Sequence, residues 1–402
     1  MTANQPSRRT AIGLLGAAPL ATGAARAQTP RIPDAVRPGG SFDKHIAQLA
    51  ADDKFSGTVL ISYRGKPVLS RAYGMADKEK SIPNRVDTIY PLASASKPFT
   101  GLAIVQLAQQ GKLKFHEKLG TYLDGYPAET ADTVTVHNLL THTCGLGDPT
   151  RDDDIPTTIH YSIAEQLAAM RKRLQSQKPA FPPGVKHQYS SAGYEVLGEI
   201  VARVSGQAFW DYVRDHIFRP AGMTDSLYYI RPQWLGSERF AHPYMYQSDG
   251  SRIDGLRNLD KGGSRGVAGT NSARSYIGTG GGNGFSTAPD LVRFAHALLS
   301  HKLLNPAYTA LYVNGKFPPA PLEGSPPRPG GYESLMAYGP ISGIFHDQRV
   351  ISHGGGIAGG NTNWSVYLDM NWTSAILCNY DLDPADFAAI IDLERRAITG
   401  VT

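Results

Sequence analysis

The sequence predicts a mixed α/β fold of the α+β type. A central, mostly antiparallel sheet is drawn from both chain ends and flanked by helices, with a helical subdomain inserted between. Three observations predict this. Two β-rich runs meet at a turn near residue 65, three more crowd into residues 349–380, and the apolar spacing between them is mainly helical. Consecutive hairpin-like runs favour antiparallel pairing, because parallel neighbours need a long crossover. The 402 residues suffice to bury a large core. Residues 28–402 are read as one domain, with its sheet part at about 40–115 and 280–400 and its helical part at about 116–275.

Taken in order, residues 1–27 read as a leader. Arg8 and Arg9 precede a weak Gly/Ala-rich apolar stretch, and Ala25-Arg26-Ala27 offers small residues for a cut before Gln28. This predicts a cleaved export signal of twin-arginine character and a periplasmic or secreted product. No cysteine follows the cut to carry a lipid. Asp43 to about Asp53 reads as a first helix, and SGTVLISYRGKPVLSRAYG (56–74) alternates around Arg64-Gly65-Lys66 as a hairpin. After a polar loop, Leu102, Ile104, Val105, Leu107 and Ala108 keep helical spacing up to a stop at Gly111.

Further helices are expected at 135–142, 162–175, 192–205 and 207–218, with Asp152 to Asp154 in a solvated loop. Thr287-Ala288-Pro289-Asp290 reads as a capping box that opens a helix to about Ser300. A Pro/Gly loop fills 314–331 ahead of the late strands, and DPADFAAIIDLERRAI (383–398) closes as a helix.

Lys and Arg number 40 against 35 Asp and Glu, and the leader holds three of the five net positive charges. The scattered remainder argues against nucleic acid or an acidic membrane as partner. Past the leader no run of 18 apolar residues occurs, so no membrane span is expected; the oligomeric state stays open. Cys144 and Cys378 lack metal-ligand spacing and sit in apolar contexts, which predicts two buried free thiols.

In PLASASKPFTG (91–101) two serines compete for one lysine. On a helix, residues three apart share a face and adjacent ones diverge by about 100°. Ser94 can therefore meet Lys97, whereas Ser96 faces elsewhere. Pro98 lacks an N–H and fits only near a helix start. That puts Ser94 at the N-terminus, where free backbone N–H groups favour developing negative charge. One residue then offers a hydroxyl nucleophile and half of an oxyanion hole. A lysine acts as base once it sheds a proton, which burial favours, and Ser–Lys pairs replace Ser–His in some nucleophilic sites. The bland alternative is a helix cap beside a solvated lysine, since S-x-x-K alone recurs by chance.

Five segments in register set that alternative aside. VDTIYPLASASKPFTG (86–101) and VTVHNLLTHTCGLGD (134–148) come first, then FPPGVKHQYSSAGYEVLGEIV (181–201) with IFRPAGMTDS (217–226). GGGNGFSTAPDLVRFAHALL (280–299) and VISHGGGIAGGNTNWSVYLD (350–369) complete the series. Over about residues 45–385 the chain resembles the penicillin-recognising serine hydrolases: class C β-lactamases, D-stereospecific peptidases and related esterases.

The resemblance implies a β-lactamase/transpeptidase-like fold and a set of roles. Ser94 matches the nucleophile, Lys97 the base, and Tyr189 the tyrosine that shuttles a proton between nucleophile and leaving group. Without Ser94, Tyr189 would read as one more buried aromatic. His353-Gly354-Gly355 matches a substrate-contacting motif, where glycines admit a close approach; the alternative is a strand-end bulge with His353 exposed. Ser191 is carried over as a substrate contact, and the Gly356 N–H as completing the oxyanion hole with that of Ser94.

Three departures shape the functional expectation. Ser191 stands where many lactamases have Asn, His353 where they have Lys, and Cys144 where Ser is usual. His-x-Gly goes more with peptidases, amidases and esterases. The expected protein is an exported serine hydrolase that cleaves small esters, amides or D-amino-acid-containing peptides through a Ser94 acyl-enzyme. Esters are favoured because their leaving group asks less of a proton donor. The alternatives are a class C-like β-lactamase or D,D-carboxypeptidase, and a non-hydrolytic sensor that stays acylated. GTGGGNG (278–284) lacks the lysine and spacing of a phosphate loop, and His137 and His142, five apart, miss a shared helical face. No metal and no cofactor are expected, and His142 reads as a structural hydrogen-bonding residue.

Overall fold

Alternation on either side of Arg64-Gly65 produces a hairpin. Strands β1 (Gly57–Tyr63) and β2 (Lys66–Tyr73) pair antiparallel around a turn in which Arg64 and Gly65 take φ of +51° and +74°. Two positive φ values in succession give the turn the twist that right-handed strands require. The computed structural model describes Met1 and residues 32–147, 158–265, 268–319 and 332–401; the rest of the leader and Asp152 to Asp154 lie outside these.

Five late strands complete one antiparallel sheet: β3 (Tyr332–Met336), β4 (Ile341–Phe345), β5 (Gln348–Ile357), β6 (Gly360–Tyr367) and β7 (Trp372–Cys378). Their order is β2-β1-β7-β6-β5-β4-β3. The first hairpin thus lies beside the last strand, with Gly57 opposite Cys378 and Tyr63 opposite Trp372. A sheet built from both chain ends was expected. Strands β3 and β4 were not, because Gly339 and Pro340 between them and Gly343 within β4 read as loop.

Six helices matter below: α1 (Ser41–Ala51), α2 (Lys97–Gln109), α3 (Ile163–Gln175), α4 (Ser191–Ser205), α5 (Ala288–Leu299) and α6 (Pro384–Thr399). Alternate strand residues point to opposite faces of the sheet. Trp364 of β6 meets Phe294 of α5 edge-on at 5.7 Å on one face. Tyr367, three residues on, donates its hydroxyl to Glu394 of α6 at 3.1 Å on the other. Helix α2 is buried on every side, as an all-round apolar helix must be, and packs against α4. Phe99 anchors it between Phe218 and Phe294, edge-on at 5.0 and 4.9 Å.

The expected helices appear at Val136–Leu140, Ile163–Gln175, Ser191–Ser205 and Phe209–Val213, the last continuing as a wider turn over Arg214–Phe218. The capping box before α5 is only half made. Thr287 Oγ1 accepts the Asp290 N–H at 3.2 Å, but the Asp290 carboxylate turns to the Ser226 hydroxyl at 2.7 Å and the Asp225 N–H at 2.9 Å. A short hairpin, Tyr244–Tyr246 with Arg252–Asp254, interrupts the otherwise helical middle. Cys144 and Cys378 are buried free thiols. Among the described residues no helix is long and apolar enough to cross a membrane.

Candidate active site

Ala93–Ser96 form a 3-10 turn that runs straight into α2, so Ser94 stands one turn ahead of the helix proper. A 3-10 turn brings i and i+3 together even more directly than an α-helix does. Lys97 Nζ donates to Ser94 Oγ at 3.0 Å. Ser96 faces away and is fully buried, its Oγ donating to the Ala93 carbonyl at 2.8 Å and accepting from the Gly284 N–H at 3.2 Å.

The turn is held under tension. Ala93 has φ +49°, a region that residues with a β-carbon seldom visit. Such strain persists only where the surroundings over-determine it, and here they do. The Leu92 N–H donates to Gly284 O at 2.8 Å and the Asn283 N–H to Ala93 O at 3.1 Å. From β6, Thr362 Oγ1 donates to Leu92 O at 2.8 Å and Trp364 Nε1 to Ala95 O at 2.9 Å.

Lys97 is fully buried, and its Nζ also meets Ser191 Oγ at 3.0 Å and the Gly281 carbonyl in a short bond. An ammonium has three N–H donors, whereas a neutral amine has two and a lone pair. The Gly281 carbonyl can only accept, but each serine hydroxyl can donate or accept. The same three partners therefore suit an amine that takes the Ser94 proton and the ammonium that results. Ser191, expected to contact substrate, is 8% exposed, and its hydroxyl accepts from Lys97. It opens α4, whose N-cap Ser190 accepts the Gly193 N–H at 2.9 Å.

Tyr189 is 39% exposed, and its ring lies 5.0 Å from Lys97 Nζ. His353 is the surprise of the site. It lies inside β5 rather than at a strand end, faces Trp364 across the pairing, and is 3% exposed. Ile351, His353, Gly355 and Ile357 share one face by alternation, and that face meets the turn that carries Ser94. A Cβ on Gly355 would stand 2.2 Å from Leu92 O and 2.9 Å from Ala95 N, so only glycine lets strand and turn touch. A Cβ on Gly354 would meet nothing closer than 3.7 Å, and Gly356 pairs with Asn361.

Burial, reinforced by the Lys97 charge, pushes the His353 imidazole down to about 4 against a weaker opposing bond from Gly354. The ring is thus neutral near pH 7. Its Nδ1 lies 2.6 Å from Gly354 O, which can only accept, so Nδ1 carries the proton. Nε2 is left as a buried acceptor with no partner among the described residues. A lysine here would offer a cation; His353 offers a neutral acceptor.

Asp77, His242 and Asp254 are the one group of metal-ligand type among the described residues. Arg257 already occupies it, donating to Asp77 at 2.7 and 2.9 Å and to Asp254 at 2.6 Å. Sequence reasoning missed the Gly281 carbonyl, the anchoring role of Ser96 and the burial of His353. Counting in twos from Ile351 would have turned His353 inward.

Comparison with known proteins identifies the group to which this strained serine turn, buried lysine and glycine-bearing strand belong. The beta-lactamase family model matches residues 42–398, and the chain belongs to that family of serine hydrolases. Penicillin-binding protein 4* of Bacillus subtilis (strain 168) is 28% identical over 361 residues, 88% of this chain and 74% of that protein. Esterase EstB of Burkholderia gladioli is 33% identical over 227 residues, 52% of this chain and 56% of that enzyme. A solved penicillin-binding protein from Bacillus halodurans superposes with TM-score 0.70 at 28% identity, covering 87% of this chain and 98% of that one.

Proposed function

We propose that the protein hydrolyses small esters, and with them amides or D-amino-acid-containing peptides, through an acyl-enzyme on Ser94. The observation that carries this reading is the partner set of Lys97: Ser94 Oγ and Ser191 Oγ at 3.0 Å each, and the Gly281 carbonyl. In the first step Ser94 Oγ attacks the acyl carbon and its proton passes to Lys97 Nζ. The carbonyl oxygen becomes an oxyanion, for which the N–H groups of Ser94 and Gly356 are the assigned donors. The C–O or C–N bond to the leaving group breaks as Tyr189 delivers a proton to it, and Lys97 restores that proton to the phenol. Water then attacks the acyl-enzyme, returns its proton through the same groups, and frees the acid and Ser94.

The neutral acceptor at His353 supports acyl groups without a carboxylate at that point, and the name of the esterase relative points the same way. The penicillin-binding relative, aligned over most of the chain, favours a second reading as a D,D-carboxypeptidase or weak β-lactamase. Export is proposed from the leader sequence alone, and the mass of envelope-fraction protein, with Gln28 as its first residue, would test it.

The deciding experiment gives a p-nitrophenyl ester, a chromogenic cephalosporin and a D-alanyl peptide to the protein and its Ser94→Ala variant, with intact mass followed. Ester turnover that vanishes in Ser94→Ala is expected. Faster cephalosporin or D-alanyl cleavage would reverse the ranking, and a lasting adduct without turnover would make the protein a sensor. Turnover that survives Ser94→Ala but not Ser96→Ala would overturn the site.

A further inference from the structure

We infer that His142 is a positioning residue for Tyr189, gripping its backbone from both sides and its ring by stacking. The inference rests on the reading of Tyr189 as proton carrier. His142 follows the Val136–Leu140 helix, is fully buried, and adopts φ +56°, in the left-handed region. From that conformation both of its acceptors turn toward one stretch of chain. Its carbonyl accepts the Gln188 N–H at 2.9 Å, and its Nδ1 accepts the Ser190 N–H at 3.0 Å. These are the residues immediately before and after Tyr189.

The ring makes a third contact. It stacks on the Tyr189 ring with centroids 4.5 Å apart and planes 24° from parallel, and on Tyr194 at 4.8 Å and 26°. Tyr194 is fully buried and tied by its hydroxyl to Leu140 O at 2.9 Å, so the stack has a fixed back. Of the three rings only Tyr189 reaches solvent.

Nδ1 can accept only if the imidazole is neutral with its proton on Nε2. Burial, helped by the Lys97 charge, holds His142 well below the ordinary histidine value and keeps it so. The surrounding loop has other ties, from the Ala180 N–H to Gly145 O at 2.9 Å and the Gly184 N–H to Thr143 O at 2.8 Å. The bonds of His142 are the ones that bracket residue 189. A phenol that passes a proton must stay within hydrogen-bond reach of both partners, and a misplacement of about 1 Å costs on the order of a hundredfold.

The test is a double-mutant cycle in ester hydrolysis, with His142→Phe, which keeps a stacking ring and the backbone carbonyl but loses the Nδ1 acceptor of the Ser190 N–H, Tyr189→Phe, and the two combined. His142→Phe should lower kcat by about 10- to 100-fold with KM changed less than about threefold. In the Tyr189→Phe background its further effect should shrink to less than about twofold, because a residue acting through another has nothing left to act on. Unchanged kcat in His142→Phe, or an equal loss in both backgrounds, overturns the inference. His142→Asn, which tolerates positive φ, enters the same cycle in place of His142→Phe if the latter does not melt like wild type. Wild-type kcat in Tyr189→Phe would instead remove the role of Tyr189 itself, and His142's with it.

Discussion

Ser96 Oγ lies 2.8 Å from the carbonyl oxygen of Ala93, and that bond is what the second serine of the SASK run is for. It ties down the residue whose backbone is strained immediately before Ser94. Ser96→Ala also strips the buried Gly284 N–H of its acceptor. The expected cost is about 1–3 kcal/mol of stability, visible as a lower Tm, with kcat within about tenfold of wild type by the scale of a slightly loosened site. Ser94→Ala should do the reverse, keeping Tm and losing turnover. Inactive Ser96→Ala with a wild-type Tm would contradict this division.

Lys97→Arg should fail as a conservative change. A guanidinium stays charged at any working pH and cannot take the Ser94 proton. A loss of about 10²–10⁴ in kcat is expected for a missing general base. Stopped-flow acylation with the p-nitrophenyl ester would locate that loss in the first step, before water attack. Acylation at the wild-type rate would rule Lys97 out as base.

His353 should make the protein sensitive to acid. Its folded-state value is pushed down to about 4 from an ordinary 6.5, chiefly by burial. Between those values the unfolded chain takes up a proton that the folded one refuses. Stability is therefore lost as pH falls from about 6.5 toward 4, by about 3 kcal/mol in all. Denaturant melts of wild type and His353→Gln at pH 7 and pH 4 should differ by that amount in their pH dependence. Parallel curves would contradict it.

Glu394 acts in the opposite sense. Buried between α6 and the sheet, its carboxyl is pushed up to about 7 from 4.5, against a weaker bond from Tyr367. Between these values the folded state keeps a proton that the unfolded chain releases. Stability thus falls as pH rises from about 4.5 to 7, again by about 3 kcal/mol. Glu394→Gln keeps an acceptor for Tyr367 and should flatten this limb. A Tm that still falls between pH 5 and 8 in the variant would place the proton elsewhere.

How much of this was legible beforehand depended on whether a feature is local. The choice of Ser94 over Ser96 needed only the spacing of four residues, and the first hairpin only alternation around Arg64-Gly65. The family resemblance then aligned Tyr189 and His353 with them. What stayed hidden depends on distant chain. Lys97 meets Gly281, 184 residues away, through a carbonyl that every residue possesses, so no side chain announces it. His142 announces itself by type but not by its positive φ. Strands β3 and β4 were obscured by Gly339 and Pro340 between them and by Gly343 within β4. The resemblance aligned Ser191 with a motif, and only packing shows that its hydroxyl also meets Lys97.

The pairing of β1 with β7 also sets an order of events. Residue 57 cannot find its neighbour at residue 378 until the whole stretch between them exists. The strand that braces the Ser94 turn, β5, likewise comes some 250 residues after Ser94, since Gly355 is what touches Leu92 and Ala95. Contacts of such long range form late in folding. A ribosome-bound fragment that already displays SASK therefore has a serine and a lysine but no frame to hold them. The emerging chain lacks the frame around Ser94 and Lys97 until β5 and β6 arrive.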